Sequence, residues 1–339
     1  MIIDTHAHFF PPAVLAFYRN AGGQRVEIVD GDGGGVAVHF DGKVFHPALP
    51  RAIVDIDDHI AGMDLAGVDL HALSVPPPMV YWAEPSQGLE LSQIANDALS
   101  DLATSHPDRI IPVASIPLQA PELAIGELRR VVGDLGHRMV VVGSNIDGVE
   151  LDDPALEPFW AEAERLGIAV FVHPILGSVT GNLPMDSYRL NLSLGMVTDT
   201  TIAASRIICA GLIDRYPALR ISFAHLGGLL PFVGDRIDYF LRHQPGASLR
   251  AQGAFNDYID RFWYDAVCYS ERMLEGALNW VGVDRLMLGT DSPFMSDSTG
   301  DIRAIIDGTS LLSDEGRTAV YETNAREFLR WDGAVPGRG

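Results

Sequence analysis

Eight short apolar runs recur along the chain, and nearly every one is followed by a segment of helical periodicity. They are Ile2–His8, Leu70–Val75, Arg109–Ala114, Met139–Gly143, Ile168–His173, Leu219–His225, Phe262–Val267 and Arg285–Asp291. A run without polar alternation marks a strand covered on both faces, as in a parallel sheet. The regular alternation with helices over 339 residues predicts an α/β protein built as a (β/α)8 barrel. A doubly wound open sheet is the alternative, but it usually carries a G-x-G-x-x-G turn after an early strand, and this chain has none.

The helical segments are Asp55–Gly67, Leu89–Ser105, Pro121–Val132, Pro154–Leu166, Thr200–Arg215, Pro231–Arg242, Glu271–Val281, Ile302–Leu312 and Glu315–Phe328. In the first, Ile56, Ile60, Met63 and Leu65 are expected on one face. Residues 11–60 read as an insertion after the first strand. Pro11-Pro12 opens a short helix, and Val26–Val29 and Val36–Phe40 flank Asp30-Gly31-Asp32-Gly33-Gly34-Gly35, which predicts a β-hairpin. That Asp-Gly cluster lacks the downstream carboxylates of a calcium loop. No composition break divides residues 1–332, which read as one domain, with 333–339 a frayed tail. The long connection 176–198 is expected to be a lid or binding loop, or to hide a helix.

The formal charge of −21 argues against nucleic acid or anionic membranes as partners. It leaves room for a small carboxylate substrate met by a local arginine. Cys209 and Cys268 form no C-x-x-C pair, so reduced thiols in a cytoplasmic protein are expected. There is no signal-peptide pattern and no apolar run of membrane-spanning length.

In a barrel of this kind, chemistry collects at the C-terminal ends of the strands. Those ends carry His6 and His8, His173, His225, and Asp291. In a strand His6 and His8 point the same way, so they form half of a metal site. Three imidazoles and one carboxylate suit one divalent ion, zinc first, with manganese, iron or cobalt in the same geometry. A histidine outside the ligand set is suited to move a proton near neutral pH. Asp265 is placed to support a ligand from behind. Tyr81 and Trp82 are candidates for a pocket wall, and Ser144 and Asn145 for polar contacts. His39, His59, His71, His106, His137 and His243 receive no role, and Cys209 reads as core.

Four motifs, in order along almost the whole chain, carry a family resemblance. They are His6-Ala7-His8-Phe9-Phe10-Pro11, Val172-His173-Pro174, Phe223-Ala224-His225-Leu226-Gly227-Gly228 and Gly289-Thr290-Asp291-Ser292-Pro293-Phe294. Together they resemble the amidohydrolase superfamily, and within it the aminocarboxymuconate-semialdehyde decarboxylase-like branch. The resemblance implies His6, His8, His173 and Asp291 as metal ligands and His225 as the group that activates water or handles the proton. It implies that Arg236 contacts the substrate carboxylate from the neighbouring subunit of a homodimer. The sequence also departs from the branch. Phe45-His46-Pro47 stands where an arginine precedes proline, with Arg51 four residues on, and Ser292 stands where an aromatic is common. Histidine cannot reproduce the two-pronged grip of a guanidinium on carboxylate.

The implied activity is metal-dependent, non-oxidative decarboxylation of a small aromatic or muconate-type acid. Hydrolysis of an amide, lactone or C–C bond at the same site is the alternative, and a non-catalytic metal-binding scaffold is a third reading.

Overall fold

The computed structural model describes residues 1–21, 25–31, 34–175, 185, 187–244, 246, 249–294 and 298–331. The chain enters through β1 (Ile3–His8) and α1 (Pro12–Ala21), then runs through β2 (Val26–Asp30), β3 (Val36–Phe40) and β4 (Lys43–Leu49). Then follow α2 (Ile56–Ala66), β5 (Leu70–Ser74), α3 (Pro85–Ser105), β6 (Ile110–Ser115), α4 (Pro121–Gly133) and β7 (Met139–Gly143). A two-stranded ribbon, β8 (Asn145–Ile146) and β9 (Val149–Glu150), precedes α5 (Glu157–Leu166) and β10 (Ala169–His173). The last part holds α6 (Met196–Cys209), α7 (Leu212–Arg215), β11 (Arg220–Phe223), α8 (Leu230–His243), β12 (Trp263–Asp265) and α9 (Glu271–Val281). It ends with β13 (Leu286–Met287), α10 (Ser298–Gly308), α11 (Asp314–Thr318) and α12 (Asn324–Leu329).

Eight strands pair in parallel in the order β1-β5-β6-β7-β10-β11-β12-β13, the sequence order of a (β/α)8 barrel. These are the eight apolar runs. β13 is only two residues long, so the barrel closes beyond it. Thr5 N–H donates to Leu288 O (2.9 Å), Asp291 N–H to His6 O (2.9 Å) and His8 N–H to Ser292 O (2.8 Å). The closing seam therefore runs directly past three of the strand-end candidates. β1 is also irregular here, its register against β5 shifting between Asp4 and Ala7.

The core fills the layer between strands and helices. Val113, Val140, Val170 and Ile221 are buried from the strands, and Leu128, Phe159 and Ile207 from the helices. Local chemistry fixes the element ends. Asp55 caps α2 by accepting from the Asp57 and Asp58 N–H groups, and Gly67 ends it in a left-handed conformation (φ 64°) that a Cβ would resist.

Several expectations need correction. The insertion is a three-stranded antiparallel sheet, β2-β3-β4, and not a two-stranded hairpin. On α2, His59 and Met63 face inward while Leu65 is 92% exposed. The 200–215 helix starts earlier, at Met196, and breaks where Gly211 turns left-handed. The 315–328 helix is split by a π-helical turn, Ala319–Thr323. Of the 176–198 connection, residues 176–184 and 186 lie outside the described residues, as does the 333–339 tail, while Asn191–Gly195 forms a π-helical turn that runs into α6. Among the described residues, no helix is long and apolar enough to cross a membrane.

One arginine ties the inserted sheet to the barrel. Arg25 pairs with Asp41 of the insertion (3.0 and 3.1 Å) and with Asp147 between β8 and β9 (3.1 and 3.2 Å). Two forked ion pairs on one guanidinium hold geometry better than a single surface pair does.

The helical layer also sets an acid limit on stability. His137 donates from Nε2–H to the Ser100 hydroxyl oxygen (2.7 Å), and burial holds its pKa at about 4, below the usual 6.5. The unfolded chain takes up a proton here that the folded chain refuses. The contribution is therefore intact above pH 6.5 and lost as pH falls toward 4. Replacing His137 with glutamine, which keeps a donor, is expected to flatten the acid slope by up to about 1.4 kcal/mol per pH unit. Denaturant unfolding across that window checks it, and an unchanged slope would remove His137 from the account.

Candidate metal centre

β1 presents His6 and His8, β10 ends at His173, and β11 and β13 each run into a turn that carries His225 and Asp291. Both turn residues have left-handed backbones, His225 at φ 56° and Asp291 at φ 59°. Non-glycine residues adopt this region at a cost of about 1–2 kcal/mol, and such strain gathers at functional sites.

The side chains meet at one point. His6 Nε2 lies 3.0 Å from His8 Nε2 and 3.4 Å from Asp291 Oδ1, and His8 Nε2 lies 3.1 Å from the same oxygen. The ring centroids of His6, His8 and His173 are 4.9 to 5.0 Å apart. Ligand atoms of His6, His173, His225 and Asp291 lie within 4.8 Å of one another. His8 and His225 thus both border the point. His8 faces two of its members closely, whereas the contact of His225 is its Nε2 at 3.5 Å from Asp291 Oδ2, on a partly exposed side chain.

The outward nitrogens of His6, His8 and His173 are already engaged, which fixes their tautomers. His6 Nδ1–H donates to Asp265 Oδ2 (2.6 Å). His8 Nδ1–H donates to Ser74 Oγ (3.0 Å), whose hydroxyl donates to Ala7 O. His173 Nδ1–H donates to Pro174 O (2.7 Å). Three Nε2 lone pairs therefore face one another and a carboxylate. His173 Nε2 is buried with no hydrogen-bond partner. An unsatisfied buried acceptor costs about 1–3 kcal/mol, and a cation at this point would remove that cost. The donor set fits a single divalent metal ion.

The titration behaviour points the same way. Burial and the neighbouring imidazoles hold His173 far below its ordinary pKa, and burial lowers His8 to about 4. Burial also opposes charge on His6, but Asp265 and Asp291 override it and raise His6 to about 10. Burial works against the Asp291 carboxylate too, yet His225, His6 and His8 hold it well below the usual range.

Asp265 supports His6 from behind, as its position in β12 suggests. Its second oxygen accepts from the Leu226 and Val267 N–H groups (3.2 and 3.1 Å). Sequence reasoning missed Ser74, Phe294 and Asp4. Ser74 had a positional signal, the end of a barrel strand, but serine there is common. Phe294 packs its ring 5.0 Å from His8 and 4.5 Å from His46.

The candidate substrate contacts divide. His46, on β4, is buried beside Phe294, and burial lowers its pKa to about 3, so it is neutral. Arg51 does not reach the cluster. Its guanidinium is taken by Asp55 (2.6 and 3.1 Å) and Asp58 (3.2 Å) at the surface. Arg236 lies on the exposed side of α8, stacked 4.7 Å over Phe240. Trp82 donates to Met79 O (3.0 Å) and lines a neighbouring cavity of about 420 Å³ with Arg25, Gln119 and Asp147. None of the cluster residues lines that cavity. Asn145 and Ser144 are buried, and Ser144 Oγ accepts from Ile175 N–H just beyond His173 (3.3 Å).

Fold and site together define a barrel enzyme of the metal-binding kind, and the chain belongs to the Amidohydrolase family, whose model matches residues 3–331. It is 34% identical over 297 residues to the 2-amino-3-carboxymuconate-6-semialdehyde decarboxylase of Dictyostelium discoideum, covering 86% of this chain and 81% of that one. It is 30% identical to the gamma-resorcylate decarboxylase of a Rhizobium species, covering 84% of this chain and 90% of the relative. Among solved structures it is similar to a dihydroxybenzoic acid decarboxylase from a Polaromonas species with bound manganese and the inhibitor 2-nitroresorcinol. That pair superposes with a TM-score of 0.78 at 25% identity, covering 98% of each chain.

Proposed function

We propose that this chain is a metal-dependent, non-oxidative decarboxylase of a small aromatic or muconate-type acid, with hydroxybenzoates the better fit. The observation that carries the reading is the inward convergence of the Nε2 atoms of His6, His8 and His173 on the Asp291 carboxylate. His6, His8, His173 and Asp291 would hold one divalent ion. Three nitrogens and one oxygen favour zinc, and the manganese in the Polaromonas relative makes that ion the second candidate. Such an ion, when bound, withdraws charge from the substrate's carboxylate and adjacent oxygen and stabilises the charge that develops on the ring.

The chain's own residues do the rest. His225 and Asp291, 3.5 Å apart, pass a proton to the carbon that bears the carboxylate. The carbon–carbon bond then breaks, its electron pair restores conjugation, and CO₂ departs. The carboxylate plus one proton gives CO₂ and the product with hydrogen in the carboxylate's place, so no oxidant or organic cofactor is consumed. Phe294 and the neutral His46 offer a flat wall and an uncharged hydrogen-bonding group, which suits a phenolic ring better than a second carboxylate.

With Arg51 occupied, the carboxylate contact falls to Arg236 of a second copy. We infer a homodimer across α8, where Phe232 and Tyr239 are 73% and 56% exposed. Sedimentation tests this, and a monomer at micromolar concentration would sink it.

The decisive assay follows CO₂ release from the metal-loaded protein given gamma-resorcylate and related acids. Exhaustive chelation is expected to slow release by at least about 10³-fold, with recovery on adding zinc or manganese. Full activity after chelation would refute the reading. Incorporation of labelled water oxygen into product without CO₂ would assign hydrolysis instead.

A further inference from the structure

We propose that Asp4, held by Thr290, is the positioning residue that sets His6 against Asp291. This rests on the metal-site reading above.

The argument begins with the closing seam. His6 and Asp291 lie on opposite sides of it, and regular strand pairing is weakest there. β13 has two residues, β1 changes register between Asp4 and Ala7, and beyond β13 the seam is held by an isolated Ala7–Ser292 bridge and single backbone bonds such as Asp291 N–H to His6 O. A ladder this interrupted cannot by itself define a metal–ligand separation to the few tenths of an ångström that coordination requires.

One carboxylate takes over that task. Asp4 Oδ1 accepts from His6 N–H (2.9 Å) and from Thr290 N–H (3.2 Å). Asp4 Oδ2 accepts from the Thr290 hydroxyl, whose oxygen in turn accepts from Ser292 N–H (3.3 Å). The backbone of His6 and the backbone on both sides of Asp291 are thus fastened to a single side chain. Asp291 needs such fastening, because its φ of 59° is not a conformation it would keep unaided.

On the far side of Asp4 lies a pair of histidines bonded to each other and to Ala52, with His71 Nε2 facing Asp4 but making no hydrogen bond to it. His71 Nε2 lies 3.5 Å from Asp4 Oδ2, His71 Nδ1–H donates to His59 Nε2 (2.9 Å), and His59 Nδ1–H donates to Ala52 O (3.1 Å). Asp4, His71, His59 and Thr290 are all at most 3% exposed, and none touches the reacting centre. Burying four polar side chains between the barrel wall and α2 is costly unless they hold something in place. The chain of contacts also joins the exit of the insertion, at Ala52, to the ligand on β1.

The test uses Co(II) alone as probe, with the full-length protein. Thr290→Val removes the hydroxyl at nearly constant shape, Thr290→Ser retains it, and Asp4→Asn replaces an acceptor with a donor. Thr290→Val and Asp4→Asn are expected to weaken Co(II) binding about 10–100-fold in chelator competition and to shift the ligand-field spectrum of the bound ion. Thr290→Ser is expected to restore both. A merely structural role would lower the melting temperature yet leave the spectrum and affinity of the folded fraction unchanged. Thr290→Val and Asp4→Asn both matching wild type within twofold would overturn the proposal. Should wild type itself bind no Co(II), the metal-site reading fails first, so the two failures are distinguishable.

Discussion

Replacing Asp291 with asparagine is expected to lower kcat/KM by about 10³–10⁴-fold, the range for losing a positioned acid–base group. The substitution is chosen because it changes little else. Asparagine tolerates a left-handed backbone as well as aspartate does, so the φ of 59° is retained. The carboxylate is held well below its ordinary pKa by His225, His6 and His8 against the effect of burial, so it is charged across the working range. The amide removes that charge at every pH. It also puts a donor where His8 Nε2, at 3.1 Å from Oδ1, already points a lone pair or a metal bond. Metal content and steady-state rates should be measured on the same preparation. Loss of metal together with activity marks Asp291 as a ligand, and retained metal with lost activity marks it as the proton carrier. Retained metal with activity within tenfold of wild type would remove it from both roles.

The second large effect is expected at Gly289, where a single added carbon has nowhere to go. A Cβ there would lie 2.6 Å from Asp265 Cβ and 2.9 Å from His6 Cβ. Both are anchored close to the backbone, so neither can swing aside like the tip of a long side chain. Gly289→Ala therefore has to separate His6 from Asp265 and break the 2.6 Å hydrogen bond that fixes the His6 tautomer. Overpacking of this kind costs about 1–3 kcal/mol, and a misplacement near 1 Å at a reacting centre costs about 10²-fold in rate. A thermal melt and kcat/KM check the two parts separately. Activity within twofold of wild type would mean the strands spread more easily than their packing allows.

Much of the barrel is legible in the sequence, for a physical reason. A parallel strand buried on both faces must be apolar throughout, and eight such runs leave few alternatives. The His6–His8 pair, His173 and Asp265 can be read because side chains at a strand end inherit their direction from the strand. The rest depends on features that local pattern does not encode. Pro47 within Lys43–Leu49 disguises β4, since proline reads as a strand breaker although it is tolerated at irregular edges. His225 and Asp291 sit beyond the hydrogen-bonded strands, and their orientation comes from left-handed turns. Arg51 looks available until its pairing with Asp55, four residues on, is recognised. Ser74 and Asp4 are ordinary residues whose partners are set only when the barrel closes.

That closure has a consequence for how the protein matures. Asp4 and Thr290 are 286 positions apart, yet they meet where the first strand joins the last. A chain emerging from the ribosome exposes its first two histidines long before the residues that complete their surroundings exist. Ordering so distant a contact is slow, because the entropy of the intervening segment must be lost first. Capture of an ion by these residues is therefore expected to follow closure of the barrel, and a truncation that removes the final strand is expected to leave a chain unable to retain it.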